Sequence, residues 1–264
     1  MPIVVSFAIP DVALTMVSGT KTRWCGLVVA LALARTTHAQ QFPFEDVTAA
    51  AGIVRRASTY DAAAADFDLD GDLDIFVANH GEAPAFYVND GRGQFRDRAP
   101  DWGLKSEDWH GFAFTDLNGD GYPDLLICSG AVRGEGLGPN RVSMNLRGQR
   151  FAPLVQAPEP LADAKGRHRS VICRDFDLNA ITDYLFLNYA SRNSLVLGLG
   201  GARYIEVGER AGVREFPGVV AAVTGCVTHL NQDDFLDLVA PGYPPVLLFG
   251  TGPAQFGPPS RRAW

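Results

Sequence analysis

The sequence predicts an all-β protein, a β-propeller-type array of four repeats. Two features carry that expectation. An acidic stretch of nine residues occurs four times, with its closing aspartate at Asp74, Asp124, Asp183 and Asp237. A lone aromatic residue keeps the same beat, at Phe44, Phe95, Phe151, Tyr204 and Phe256. Between these markers lie only short apolar runs broken by Gly, Asn and Asp, without a sustained 3.6-residue period. Repeats of about fifty residues built this way are blades of three or four antiparallel strands, not helical solenoid units.

The markers place the repeats near 44–95, 95–151, 151–204 and 204–256. The four acidic stretches are Asp66-Phe-Asp-Leu-Asp-Gly-Asp-Leu-Asp74, Asp116-Leu-Asn-Gly-Asp-Gly-Tyr-Pro-Asp124, Asp175-Phe-Asp-Leu-Asn-Ala-Ile-Thr-Asp183 and His229-Leu-Asn-Gln-Asp-Asp-Phe-Leu-Asp237. Each runs into an apolar strand such as Ile75–Ala78 or Leu125–Cys128. Six residues before the last four aromatics stand Asn89, Asn145, Gly198 and Gly250, heading turn-forming segments like Asn89-Asp-Gly-Arg-Gly-Gln-Phe95. Asn-Asp-Gly is hairpin-turn chemistry, because these residues tolerate a positive φ. A single twisted blade cannot bury both of its faces, so neighbouring blades must pack face to face.

Oxygen-bearing side chains at positions one, three, five and nine, complete in the first three stretches, are the ligand pattern of a hard cation. The expected ligands are Asp66, Asp68, Asp70, Asp72 and Asp74 in the first loop. In the second they are Asp116, Asn118, Asp120, Tyr122 and Asp124, with position seven (Asp72, Tyr122) contributing its backbone carbonyl. The third loop offers Asp175, Asp177, Asn179 and Asp183, and the fourth Asn231, Asp233 and Asp237. Several oxygens at flexible spacing suit Ca²⁺ better than Mg²⁺ with its strict octahedron. Gly71 and Gly121 at position six let the chain reverse. The third loop lacks that glycine, having Ala180. The fourth puts His229 at position one and Asp234 at position six, so these two loops hold fewer ligands. An EF-hand is excluded, since position twelve is Val77 or Ile127 inside an apolar strand.

The N-terminus reads as an export leader over residues 1–39, with the repeats occupying 40–264. Lys21 and Arg23 precede the apolar run Cys25–Ala34, and Thr37-His-Ala39 supplies small residues before Gln40. The run is too short to span a bilayer, which takes about 20 residues. A start at Met16 would give the leader a more usual length. The expected location is therefore outside the cell or in the periplasm or envelope. Cys128, Cys173 and Cys226 remain after export, each in an apolar run and each expected as a buried free thiol.

With 23 Lys+Arg against 30 Asp+Glu and no basic stripe, the chain is a poor partner for nucleic acid. Neither Gly-x-Ser-x-Gly nor His-Glu-x-x-His occurs, so no catalytic centre is expected. His80, His110, His168 and His229 belong to turns, blade positions or a degenerate loop. The alternative is a calcium-dependent lyase or hydrolase acting on polysaccharide, which would show paired carboxylates among exposed aromatics in the central depression. Trp102 and Trp109 are candidates either for exposed contacts or for the packing between blades.

Phe44-Glu-Asp-Val-Thr-Ala-Ala-Ala-Gly-Ile53, the first two loops, Val77-Ala-Asn-His-Gly81 and Tyr87–Phe95 together resemble the FG-GAP/VCBS repeats of integrin-α-like propellers. The resemblance is closest to the secreted branch of the cartilage acidic protein and ASPIC/UnbV type. It implies a propeller, commonly of seven blades, with Ca²⁺ held in interstrand loops and an extracellular protein or glycan as partner. Four repeats fall short of seven, which implies an incomplete propeller or a fragment of one. Such an array is either an open arc, self-associating through its blade edges, or a strained ring closed by Phe44–Val47 beside Phe256.

Overall fold

Each acidic stretch is the turn between the first and second strands of an antiparallel sheet. The computed structural model describes residues 45–105, 109–129, 137–216, 224–241 and 245–260; the leader over 1–39 and Phe44 lie outside them. The repeats fall in the unit Asp46–Trp264. Blade one is β1 (Thr59–Ala65), β2 (Asp74–Asn79), β3 (Ala85–Asn89) and β4 (Phe95–Asp97), paired in that order. Blade two is β5 (Trp109–Thr115), β6 (Asp124–Ser129), β7 (Arg141–Ser143) and β8 (Val155–Gln156). Blade three is β9 (His168–Arg174), β10 (Asp183–Asn188), β11 (Ser194–Gly198) and β12 (Tyr204–Glu206). Blade four divides into a sheet of β13 (Cys226–Thr228), β14 (Asp237–Ala240) and β15 (Val246–Leu248), and a hairpin of β16 (Gly250–Gly252) and β17 (Gln255–Phe256). The fold is all-β and propeller-like. No helix among the described residues is long and apolar enough to cross a membrane.

The six-residue interval in the sequence is a hairpin register. Asn89 pairs with Phe95, Asn145 with Phe151, Gly198 with Tyr204 and Gly250 with Phe256. The residue that follows the outer turn is thus always aromatic, and the one that precedes it is always Asn or Gly. Phe95 and Phe256 are held a second time from behind. Their amides donate to Ala51 O (2.8 Å) and Ala211 O (2.9 Å), in the turn that follows the preceding aromatic.

Side chains alternate along the inner strands, and the alternation sends them to different cores. In β6, Leu125 and Ile127 join Phe67, Phe76, Phe86 and Phe112 between blades one and two. Their neighbours Leu126 and Cys128 join Val171, Tyr184 and Phe186 between blades two and three. In β10 the same rule sends Leu185 and Leu187 to the third core, with Leu238, Val246 and Leu248 of blade four. All six residues of β10 are buried, because it has a blade on either side. The first core is largely aromatic, with edge-to-face contacts such as Phe67–Phe86 at 4.8 Å and Phe76–Phe112 at 4.8 Å. Trp102 is part of it, packed on Phe86 at 4.5 Å.

The thiols depart from expectation. All three are free, but only Cys128 is buried; Cys173 is half-buried and Cys226 is exposed. Cys226 opens β13, an edge strand whose alternation turns it outward, so an apolar neighbourhood in sequence did not make it a core residue.

Phe67 is fully buried in the first core, whereas Leu69, two residues along the same loop, is 50% exposed. Phe67→Ala should lower the unfolding free energy by about 3–5 kcal/mol, and Leu69→Ala by about 0.5 kcal/mol or less. Denaturant titration of the two variants measures both.

Candidate metal centre

The loops are shaped from within by their own carboxylates. At position one, Asp66 accepts the amides of Asp70 (3.1 Å) and Gly71 (3.0 Å). Asp116 accepts those of Asp120 (3.1 Å) and Gly121 (2.8 Å), and Asp175 those of Asn179 (3.0 Å) and Ala180 (2.8 Å). At position five, Asp70, Asp120, Asn179 and Asp233 each accept the amide of position seven, at 2.7–3.0 Å. Position six turns left-handed at Gly71, Gly121 and even Ala180 (φ 64°). Position four does so as well, at Leu69, Gly119, Leu178 and Gln232, which nothing in a leucine or glutamine announces.

Position nine does something different. Asp74, Asp124, Asp183 and Asp237 are buried, each 0–1% exposed. One carboxylate oxygen of each accepts the amide of position two: Phe67 at 3.2 Å, Leu117 at 2.9 Å, Phe176 at 2.7 Å and Leu230 at 2.6 Å. The other accepts the amide of the residue six before the aromatic: Asn89 at 2.8 Å, Asn145 at 2.7 Å, Gly198 at 2.8 Å and Gly250 at 2.9 Å. One side chain therefore joins the inner loop to the outer hairpin in every blade.

The ligand positions converge unequally. Asp66, Asp68 and Asp70 bring carboxylate oxygens within 4.8 Å of one another, and so do Asp175, Asp177 and Asp183. Asp68 Oδ1 is buried without a hydrogen-bond partner. Its carboxyl is pushed above the usual range by burial, and further by the charges of Asp70 and Asp66. A cation answers both defects, and an all-oxygen donor set is one that a hard cation accepts. In the second loop Asn118 Nδ2 donates to Asp120 (3.2 Å), and in the fourth Asn231 Nδ2 donates to Asp233 (2.7 Å). Tyr122 enters its loop by the backbone, through the amide held by Asp120. Asp72 is turned away, its Oδ2 lying 2.4 Å from where a Cβ on Gly91 would stand. The fourth loop has His229 in place of a carboxylate at position one, and its Nδ1 lies 3.0 Å from Phe235 O of the same loop.

These loops, hairpins and seams define a propeller-type repeat array. Residues 44–127 match the FG-GAP-like repeat family. It is 26% identical over 201 residues to cartilage acidic protein 1 of Mus musculus, covering 74% of this chain and 30% of that protein. With cartilage acidic protein 1 of Xenopus tropicalis the identity is 30% over 185 residues, covering 63% and 26%. The chain thus spans less than a third of the length of these relatives. Among solved structures, a lectin of Agrocybe aegerita described as recognising non-reducing terminal N-acetylglucosamine shares the fold. The TM-score is 0.50 at 16% identity, over 77% of this chain and 52% of the lectin.

Asp183→Ala leaves the amides of Phe176 and Gly198 buried without acceptors. The expected loss is about 1–3 kcal/mol for each, seen as a lower denaturation midpoint with or without metal. Burial also raises the carboxyls of Asp74 and Asp183 to about 6, against 3.8 for the unperturbed group. The folded state then binds more protons than the unfolded chain between these values. For metal-free protein this contribution is full below about 3.8 and is lost as pH rises through about 6. Melting of chelator-treated protein should accordingly fall across pH 4–6, and Asp183→Asn should flatten that slope.

Proposed function

We propose that the chain is an exported, non-catalytic interaction module whose loops bind Ca²⁺. The observation that carries the metal reading is Asp68 Oδ1, buried without a donor among three converging carboxylates. Asp66, Asp68 and Asp70 would hold one ion, and Asp175, Asp177 and Asp183 another. Bound Ca²⁺ would supply the positive charge that offsets the mutual repulsion of these carboxylates, and would fix loops whose reversal otherwise rests on their own hydrogen bonds. The second and fourth loops offer amide-for-carboxylate replacements and would bind more weakly.

Export is supported by the basic, apolar and small-residue segments of 1–39. The partner class is a protein or glycan met by the loops at the blade ends. The glycan half of that reading draws support from the lectin of the same fold. The non-catalytic reading draws support from the sequence, in which neither Gly-x-Ser-x-Gly nor His-Glu-x-x-His occurs.

Ca²⁺ should raise the melting temperature, since a ligand at a hundredfold excess over Kd adds about 2.7 kcal/mol to the folded state. Asp70→Ala should reduce bound Ca²⁺ more than Asn179→Ala, because it removes one of the three converging carboxylates. Differential scanning fluorimetry with and without EGTA, alongside elemental analysis, tests both statements. An unchanged melt with no bound calcium would refute the metal reading.

A further inference from the structure

The first strands of the blades carry a second set of equivalent positions. Tyr60, His110 and Arg169 each stand six residues ahead of position one of their loops, on β1, β5 and β9. Asp61, Gly111, Ser170 and Thr224 occupy the next position in blades one to four. Except for Gly111, these residues line a single cavity of about 390 Å³. Gly111 is where β5 and β9 touch: a Cβ there would lie 2.5 Å from Arg169 O. All four blades contribute to this cavity, and every residue lining it is polar or aromatic.

Its chemistry is graded. His110 is buried, in edge contact with Tyr60 at 5.0 Å and His80 at 5.4 Å, and His80 stacks on Tyr60 at 4.9 Å. Arg169 is oriented by its own backbone, Nη1 donating to His168 O at 3.0 Å, and by the Tyr189 ring at 5.6 Å. Asp61, on β1, accepts the Ala62 amide at 2.9 Å, which orients its carboxylate. Tyr60, Asp61 and Thr224 are exposed, so the cavity opens to solvent along their side.

We propose that this axial cavity binds a sugar acid, a hexuronate or a hexuronate residue of a glycan. A guanidinium held in a fixed plane is suited to a carboxylate. The Asp61 carboxylate and the hydroxyls of Ser170 and Thr224 offer acceptors and donors for ring hydroxyls. The exposed Tyr60 ring offers a flat face for the apolar side of a pyranose. The volume lies within the range of about 300–1,000 Å³ typical of small-molecule sites. None of the lining residues is a loop ligand, so this site goes beyond the calcium reading and stands or falls separately from it.

Isothermal titration of the full chain with glucuronate, galacturonate, glucose and glutamate tests the assignment. A uronate should bind at least about tenfold more tightly than glucose, the worth of a charge-assisted contact. Arg169→Gln should abolish that preference, Arg169→Lys should keep part of it, and Asp61→Asn should weaken both sugars. An Arg169→Gln protein with the parent's melting temperature shows that the loss is not one of folding; if that variant does not fold, Arg169→Lys and Asp61→Asn carry the comparison. Glucose binding as well as the uronates, glutamate binding in preference to them, no binding by either uronate, or an unchanged preference in folded Arg169→Gln would each overturn the proposal.

Discussion

The structure depends on a carboxylate at the first residue of the second strand in each blade. Asp74, Asp124, Asp183 and Asp237 bind one amide at the start of the acidic loop and another at the head of the outer hairpin turn. Burying a carboxylate is costly, and the raised pKa of Asp74, Asp124 and Asp183 records that cost. Two charge-assisted hydrogen bonds per group offset much of it. An asparagine offers one acceptor oxygen and could not accept at both places through separate atoms. Because the tie sits where the inner strand begins, it also fixes which of that strand's residues face each neighbouring blade. A one-residue slip would exchange Leu125 and Ile127 with Leu126 and Cys128 and undo two cores at once.

This explains a feature of the sequence that a metal reading alone does not. In the fourth stretch the cation pattern has eroded, with His229 at position one and Asp234 at position six, yet Asp237 is retained. Asp237 makes the same two contacts as its counterparts. Position nine therefore answers to the blade, and Asp183 is also one of three converging carboxylates that could hold a metal ion.

The array was legible because its constraints repeat. Four acidic stretches, a recurring aromatic and a fixed six-residue interval were visible as pattern, and the interval turned out to be a strand register. What could not be read was set by contacts between segments far apart. Leu69, Leu178 and Gln232 adopt left-handed backbone that their side chains do not favour, because the amides around them are drawn onto Asp66, Asp175 and Asn231 or their neighbours. Cys226 looked like a core residue until its strand proved to be an edge. His110 was legible only as a recurrent blade position; its company with Tyr60 and His80 required the blades to be packed.

The axial positions follow the opposite logic to the loops, and from the same cause. A residue that must serve one geometry in every blade is driven to one chemistry, as Asp is at position nine. A residue facing the shared cavity takes partners that differ from blade to blade, His80 for Tyr60 and His168 O and the Tyr189 ring for Arg169, so blade geometry places no common demand on its side chain. Those positions hold tyrosine, histidine and arginine in one row, and aspartate, glycine, serine and threonine in the next. Such variety is what lets a symmetric scaffold present an asymmetric site, since a ligand with a charged end, a hydroxylated edge and an apolar face needs a different group on each side.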